Sequence, residues 1–203
     1  MSTRPVEEEG LNPRQRLSLL HGVQITAEEL LSMKDEQFTY EFIKDKGIKS
    51  NNIVMANIGP KKLKEMGLKT PDQLRELGFD ALYLADPKFA SECNSCFGSD
   101  VVLEAYLKSA SDAVALAGSD AMNILGINVV DLLNVCAGAP TEASAVLQQL
   151  PLGNSLIGVP ASVLLDTGLR KTALMELGYS LTVVASQTGA DGHQLSKLGF
   201  GLS

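Results

Sequence analysis

Glycine recurs at a fixed interval along most of this 203-residue chain. Six glycines stand 20 residues apart without a break, and Gly199 and Gly59 fall within one residue of the same series; the six are Gly78, Gly98, Gly118, Gly138, Gly158 and Gly178. Only 18 residues are glycine, so chance does not explain the spacing. A period near 20 residues is typical of repeat arrays, whose units stack on their neighbours.

The residues around these glycines predict helix ends. The pattern is apolar, Gly, apolar, then a small polar residue or Pro, as in Leu77-Gly78-Phe79-Asp80 and Leu177-Gly178-Tyr179-Ser180. Glycine closes a helix in the left-handed conformation, the next apolar residue packs back on the last turn, and Ser or Asp caps the following helix. Gly168 and Gly189 bisect the longer period, so the basic unit is about ten residues.

Start signals and apolar spacing support short helices. Thr70-Pro71-Asp72-Gln73 predicts a helix over 71–77, and Thr26-Ala27-Glu28-Glu29 predicts one over 27–33. Apolar pairs three residues apart share one helix face, namely Leu74 with Leu77, Leu174 with Leu177 and Leu195 with Leu198. Such helices are too short to persist alone. We therefore predict an all-α, solenoid-like array with a period of about 10 and 20 residues; a compact, non-repeating helical bundle is the alternative.

The rhythm changes along the chain and suggests three regions. Residues 1–9 are expected to be a disordered tail. Glycines in residues 10–59 follow a longer and less regular interval than the ten-residue unit, which predicts slightly longer helical units there. The short-helix array proper is expected over residues 60–203. Strand content should be low, although Val129-Val130 and residues 181–184 are β-branched or apolar runs that also suit strands.

Composition indicates an intracellular, soluble protein without membrane insertion. No window approaches the roughly 20 uninterrupted apolar residues of a membrane span, and the first residues lack the pattern of a signal peptide. Three cysteines in such a chain suggest reduced thiols. The net charge of −7 is unevenly placed: residues 80–203 carry 5 basic and 12 acidic residues, whereas residues 44–75 carry eight basic and three acidic residues.

Repeated L-x-x-L-G-F units give the chain a family likeness. They are clearest over Lys62 to Phe79 and Val159 to Phe200. This pattern of repeated short helices resembles the decapeptide-like helical repeats of some protist and large-DNA-virus proteins. The resemblance implies a scaffold or assembly module and carries no enzymatic activity with it.

A second local motif runs over residues 56–74. Its hairpin, its lysine-bearing helix and the segment from Gly67 to Leu74 resemble a helix-hairpin-helix, in which a G-[IL]-x-T-x-x-D-L segment follows the helix, although Asn57 replaces the first hairpin glycine. In that family, hairpin N–H groups hold a DNA phosphate without sequence readout. Carried over, the phosphate contacts would be Ile58, Gly59, Lys61, Lys62 and Lys64. The alternative is a helix cap followed by a solvated lysine face.

Other candidate sites favour structural interpretations. Cys93 and Cys96 have the spacing of a redox pair or half a zinc site, but only Cys136, His21 and His193 could complete four ligands. We therefore expect core thiols, no metal and no cofactor. The series Asp80, Asp100 and Asp120 could line a cation site, but capping explains carboxylates at helix starts. Phosphate loops and catalytic triads are missing from the sequence, so no enzymatic activity is expected.

The functional expectation is a non-enzymatic scaffold that mediates protein–protein assembly through a helical-repeat surface. Its partners would be proteins, in a larger assembly or through self-association. The last residues, 198–203, remain apolar, and an uncovered array end favours association. Deleting them should therefore lower assembly or stability. The alternative function is non-sequence-specific DNA binding around Gly59 to Lys64.

Overall fold

A computed structural model describes residues 10–20, 25–151 and 155–201. Within these ranges every regular element is a helix and none is a strand, which confirms the all-α prediction. The expected tail over residues 1–9 lies outside the described residues. The helices near 27–33 and 71–77 are confirmed to within one residue, since they span Ala27–Ser32 and Pro71–Glu76.

Seventeen short α-helices and one 3₁₀ helix (Asp35–Gln37) make up the described chain. In order they are α1 (Pro13–Ser18), α2 (Ala27–Ser32), α3 (Tyr40–Asp45), α4 (Ser50–Met55), α5 (Pro60–Glu65), α6 (Pro71–Glu76), α7 (Ala81–Leu84), α8 (Pro87–Phe97), α9 (Ser99–Tyr106), α10 (Ala110–Leu116), α11 (Ala121–Leu125), α12 (Val129–Val135), α13 (Pro140–Gln149), α14 (Ala161–Thr167), α15 (Lys171–Glu176), α16 (Leu181–Thr188) and α17 (Gly192–Lys197).

The chain forms two compact units, one ending at Phe79 and the other beginning at Asp80. In the first unit, α1 packs against α2 and α4. In the second, α10 packs against α7, α12 and α13, α12 packs against α14, and α14 against α17. Helices of four to eleven residues therefore contact partners that lie several helices away, which they need because such short helices do not hold alone. The change of rhythm that the sequence places between residues 59 and 60 stays a prediction.

One backbone bond closes helix after helix. At Gly78, φ is +94°, and the N–H of Phe79 donates to the carbonyl of Leu74 at 3.1 Å. Positive φ values recur at the other glycines of the periodic series from Gly98 to Gly199. The same closing bond joins Ile48 to Ile43, Ile58 to Ile53, Leu68 to Leu63, Ile127 to Met122, Tyr179 to Leu174 and Phe200 to Leu195. Each of these apolar donors is buried, so helix closure and core formation are one event.

Gly59 has a different role from the other series members. Its φ is −97°, and it precedes α5 as the N-cap. The left-handed residue that ends α4 is Asn57, with φ of +57°. Asparagine is among the few residues that adopt this conformation at moderate cost. Helix α4 therefore ends in the left-handed conformation like the other helices of the series, but with asparagine in place of glycine.

Replacing Asn57 with alanine should lower the free energy of unfolding by about 1 kcal/mol, because alanine pays the left-handed penalty without a polar side chain to offset it. Asn57 is exposed, so the loss comes from the backbone. Chemical denaturation measures the effect. Asn51→Ala, at an exposed position inside α4, is the matched control and should leave stability unchanged or raised. Equal effects at both positions would contradict the role of Asn57.

Backbone hydrogen bonds also join the start of one helix to the end of a later one. Four N–H groups donate to carbonyls at nearly the same separation further along the chain, with N···O distances of 2.7–2.8 Å. The pairs are Tyr40 to Met66, Ser50 to Leu77, Gly138 to Asp166 and Lys171 to Leu198. These bonds give partners to helix-terminal groups that short helices leave unpaired. Both units contain such bonds, so nearly the same offset recurs in each.

Close packing accompanies this offset. A Cβ on Gly78 would lie 3.2 Å from Ser50 Oγ, and that hydroxyl donates to the Gly78 carbonyl at 2.9 Å. A Cβ on Gly168 would contact Pro140, and one on Gly199 would contact Lys171 Cβ at 3.5 Å. The separation in sequence is the same in all three pairs. A glycine that ends one helix thus lies on the first residue of an earlier helix.

Candidate interaction surface

The lysine-bearing hairpin places its backbone donors in helix closure. Ile58 is buried, and its N–H donates to the Ile53 carbonyl at 3.0 Å. Pro60 follows the N-cap Gly59 and has no N–H to give. The hairpin amide of Ile58 is therefore already engaged. Phosphate binding at Ile58 and Gly59 stays a prediction, and it would have to depend chiefly on side chains.

The lysines of this hairpin lie at the surface. Lys61, Lys62 and Lys64 are all exposed on α5. Lys62 Nζ donates to Glu65 Oε2 at 3.0 Å, so part of the positive charge is balanced within the helix. Lys49, which directly precedes α4, and Lys69, which lies just before α6, are also exposed. We call Lys49, Lys61, Lys64 and Lys69 the basic surface.

Other lysines of the first unit tie one helix to another. Lys44 Nζ on α3 donates to Glu76 Oε2 on α6 at 2.6 Å, and the Tyr40 hydroxyl lies 3.3 Å from the same oxygen. The hydrogen bond from Lys44 lowers the pKa of Glu76, and in return the pKa of Lys44 is raised. Lys46 pairs in the same way with Glu29 at 2.8 Å. Exposed pairs of this kind add little stability.

An exposed apolar pair interrupts the charged pattern of helix ends. The last two residues are Lys44-Asp45 in α3, Lys64-Glu65 in α5 and Arg75-Glu76 in α6, whereas α4 ends in Val54-Met55. Val54 is 48% and Met55 62% exposed. The helices α3, α5 and α6 have charges at these positions. Exposed apolar side chains of this kind are a feature of protein-binding surfaces.

A groove of about 450 Å³ also lies in the first unit. Its lining combines apolar Pro13, Phe38 and Met66 with Arg14, Asp35 and Lys62. The Arg14 guanidinium contacts the Asp35 carboxylate, and Lys62 pairs with Glu65 of the same groove. The cations of the groove are thus matched by its own acids.

The expectation of core thiols is confirmed for Cys93 and Cys136 and met only in part by Cys96. Cys93 and Cys136 are fully buried, and Cys96 is half-buried on α8. Burial raises the pKa of the Cys93 thiol well above its usual range and that of Cys136 to about 11. Across the described ranges no three His, Cys, Asp or Glu residues cluster as a metal site would need. His193 is exposed, and His21 lies outside the described residues.

Thiol labelling should separate these cysteines. Because the thiolate is the reactive form, folded protein at about pH 8 should take up one label per chain, at Cys96, while denatured protein takes up three. Mass spectrometry of the labelled protein counts the adducts. Cys96→Ser should abolish labelling of the folded chain, and rapid labelling of all three thiols without denaturant would show that the burial is wrong.

The aspartate series lies at helix starts. The Asp80 carboxylate accepts the N–H of Leu82 at 3.0 Å and caps α7. Asp100 is in the first turn of α9. Asp120 precedes α11 without a side-chain cap bond. Capping accounts for the first member, and a favourable position near the helix dipole accounts for the second.

The apolar segment at 198–203 is covered by its own unit. Leu198 and Phe200 are buried, and the Leu198 carbonyl accepts the Lys171 N–H at 2.7 Å. Leu202 and Ser203 lie outside the described residues. The expectation that this segment offers an uncovered apolar end is therefore wrong for its two bulkiest described side chains, because they complete the core.

Comparison with known proteins yields no relative: no family model, no curated protein and no solved structure matches the chain. No helix in the described part of the chain has the length and apolar character to cross a membrane. Sequence reasoning found the lysines but missed Val54 and Met55. Aligning the last two residues of each helix would have revealed them, because only there does the charge pattern of the neighbouring units fail.

Proposed function

We propose that this protein is a non-enzymatic intracellular scaffold, a solenoid-like array of short helices that mediates protein–protein assembly through its exposed helical surface. The recurring bond from a helix start to a carbonyl at a nearly constant separation later in the chain carries the proposal. A constant offset between contacting units is what a repeat array needs, because each unit is stable only on its neighbours.

For three of the four bonds the offset corresponds to three short helices, whereas the bond from Gly138 to Asp166 encloses α13 and ends within α14. The bond from Tyr40 to Met66 encloses α3, α4 and α5, and that from Ser50 to Leu77 encloses α4, α5 and α6. The bond from Lys171 to Leu198 encloses α15, α16 and α17. Three helices per turn of an array is the simplest arrangement that meets all three bonds. Such an array presents its outer side chains in rows, which suits binding of an extended protein surface.

The chemistry of the side chains supports binding over catalysis. Burial raises the pKa of the two most buried thiols, which disfavours the reactive thiolate, and the groove cations are matched by carboxylates. The exposed apolar pair Val54-Met55 ends α4, and exposed lysines follow on the next helix of the chain; protein interfaces combine apolar and charged side chains.

Photo-cross-linking tests the scaffold function. A photoreactive residue at position 55, in place of Met55, should give discrete protein adducts in an extract of the native source, identified by mass spectrometry. The matched control is the same group at Lys197, which is exposed on α17 of the second unit. Adducts that are missing at position 55, or equal at both positions, would contradict the proposal.

A further inference from the structure

The sequence of the chain has two regions of opposite charge. Residues 44–75 hold eight basic and three acidic residues, whereas residues 80–107 hold five acidic residues and one lysine. From 109 to 169 the sequence has no Lys, Arg or His at all. Each cluster belongs to one compact unit, the basic one to the first and the acidic one to the second.

The basic cluster combines charge with exposed apolar side chains. Lys61 and Lys64 are exposed and one helical turn apart on α5, so they share a face. The preceding helix ends in Val54 and Met55, both largely exposed. Neighbouring helices thus supply an apolar pair and a pair of cations.

The acidic cluster also combines two like charges on one helix with an exposed apolar side chain, but its charges are negative. Asp100 and Glu104 are exposed and one turn apart on α9, and Val101 beside them is 48% exposed. Asp86 is also exposed, at the start of α8. We call Asp86, Asp100, Val101 and Glu104 the acidic surface. Like charges one turn apart on a helix repel each other, so this pair gains from an outside cation.

We propose that the chain associates head to tail with a second copy of itself, the basic surface and Val54-Met55 of one copy binding the acidic surface of the next. Opposite potentials steer the encounter and fix its register, while the apolar side chains supply the water-excluded centre. The two surfaces are different, so the contact is heterologous and each copy can bind one further copy through each surface. This inference rests on the proposed scaffold function and names its first partner.

Light scattering and sedimentation of the full chain test the contact. The wild type should associate at about 20 mM salt and dissociate at about 500 mM, because exposed charges are screened within a few ångströms at high salt. Lys61→Glu/Lys64→Glu and Asp100→Lys/Glu104→Lys should each be monomeric, with self-affinity reduced at least tenfold. Mixed together, they should associate again, because the two retained surfaces are complementary and the two reversed surfaces are complementary as well.

Matched controls keep the test specific. Lys34→Glu/Lys197→Glu changes the net charge as much as the first variant, at exposed positions outside both surfaces, and should associate like the wild type. Circular dichroism checks that each variant is folded. Glu104→Lys alone replaces the second variant if the double change unfolds α9.

Three results would overturn the inference. They are a wild type that stays monomeric at low salt, charge-reversed variants that still associate alone, and variants that fail to combine when mixed. Salt-dependent binding of duplex DNA by a monomeric wild type, lost in Lys61→Glu/Lys64→Glu, would assign the basic surface to nucleic acid instead. The scaffold function would survive the first three if the cross-linking at position 55 still captures other proteins.

Discussion

Deleting residues 198–203 lowers the free energy of unfolding of the second unit by about 5 kcal/mol, since two large side chains leave a packed core. Leu198 and Phe200 are buried, and Phe200 donates its N–H to the Leu195 carbonyl at 2.9 Å, closing α17. The deletion also removes the acceptor of the Lys171 N–H. A helix of six residues that loses its closing bond does not persist, so α17 should unfold with the segment although Asp191 still caps its start.

Denaturant titration followed by circular dichroism measures this loss. Deleting only residues 202–203 is the matched control and should leave the transition midpoint unchanged, because Leu198 and Phe200 are retained. Phe200→Ala should show part of the effect, about 3 kcal/mol, without shortening the chain. An unchanged midpoint for the full deletion would show that these side chains are not part of the core.

Gly118→Ala lowers the free energy of unfolding by about 3 kcal/mol, through backbone strain and a steric clash together. Gly118 has φ of +71°, and a Cβ there would lie 2.7 Å from the Gln149 carbonyl oxygen at the end of α13. The Gln149 side chain donates to the Val114 carbonyl of α10 at 3.1 Å, so the two helices are also joined beside this contact. Backbone must move to admit the methyl group, and the packing of α10 on α13 moves with it.

Gly138→Ala is the control that isolates the clash. Gly138 has nearly the same φ, +70°, but a Cβ there meets nothing within 4 Å. Its loss should be about 1 kcal/mol, the conformational cost alone. Both values come from chemical denaturation under one set of conditions. Similar losses for the two variants would mean that the approach of Gln149 to Gly118 is not rigid.

The starts and ends of the helices could be predicted from sequence because they depend on residues that are close together in the chain. A left-handed glycine, the apolar residue after it and a capping residue act within a few positions of one another. The helix starts at Thr26 and Thr70 were therefore correct, and so was the burial of Leu74 and Leu77. Cys136 was assigned to the core by its place in the repeat and is fully buried.

The role of particular repeat members could not be predicted in this way. Gly59 fits the spacing, yet Asn57 takes the left-handed position because the chain enters α5 through the N-cap Gly59 and Pro60. Gly118 and Gly138 look equivalent in sequence, but of the two only Gly118 has another backbone where a Cβ would lie. Leu198 and Phe200 were expected to be exposed because no helix-start pattern follows them in the sequence. They are buried instead against residues that precede them in the chain.

The sequence by itself determined that this chain would be helical, where most helices would end and which side chains would be apolar at those ends, since these properties follow from conformational preferences of adjacent residues. Only the tertiary structure decided which later carbonyl each helix start contacts, the pairing of Lys44 with Glu76 and the exposure of Val54 and Met55. These depend on contacts between residues far apart in the chain. Helices this short have no stability of their own, so packing selects their partners.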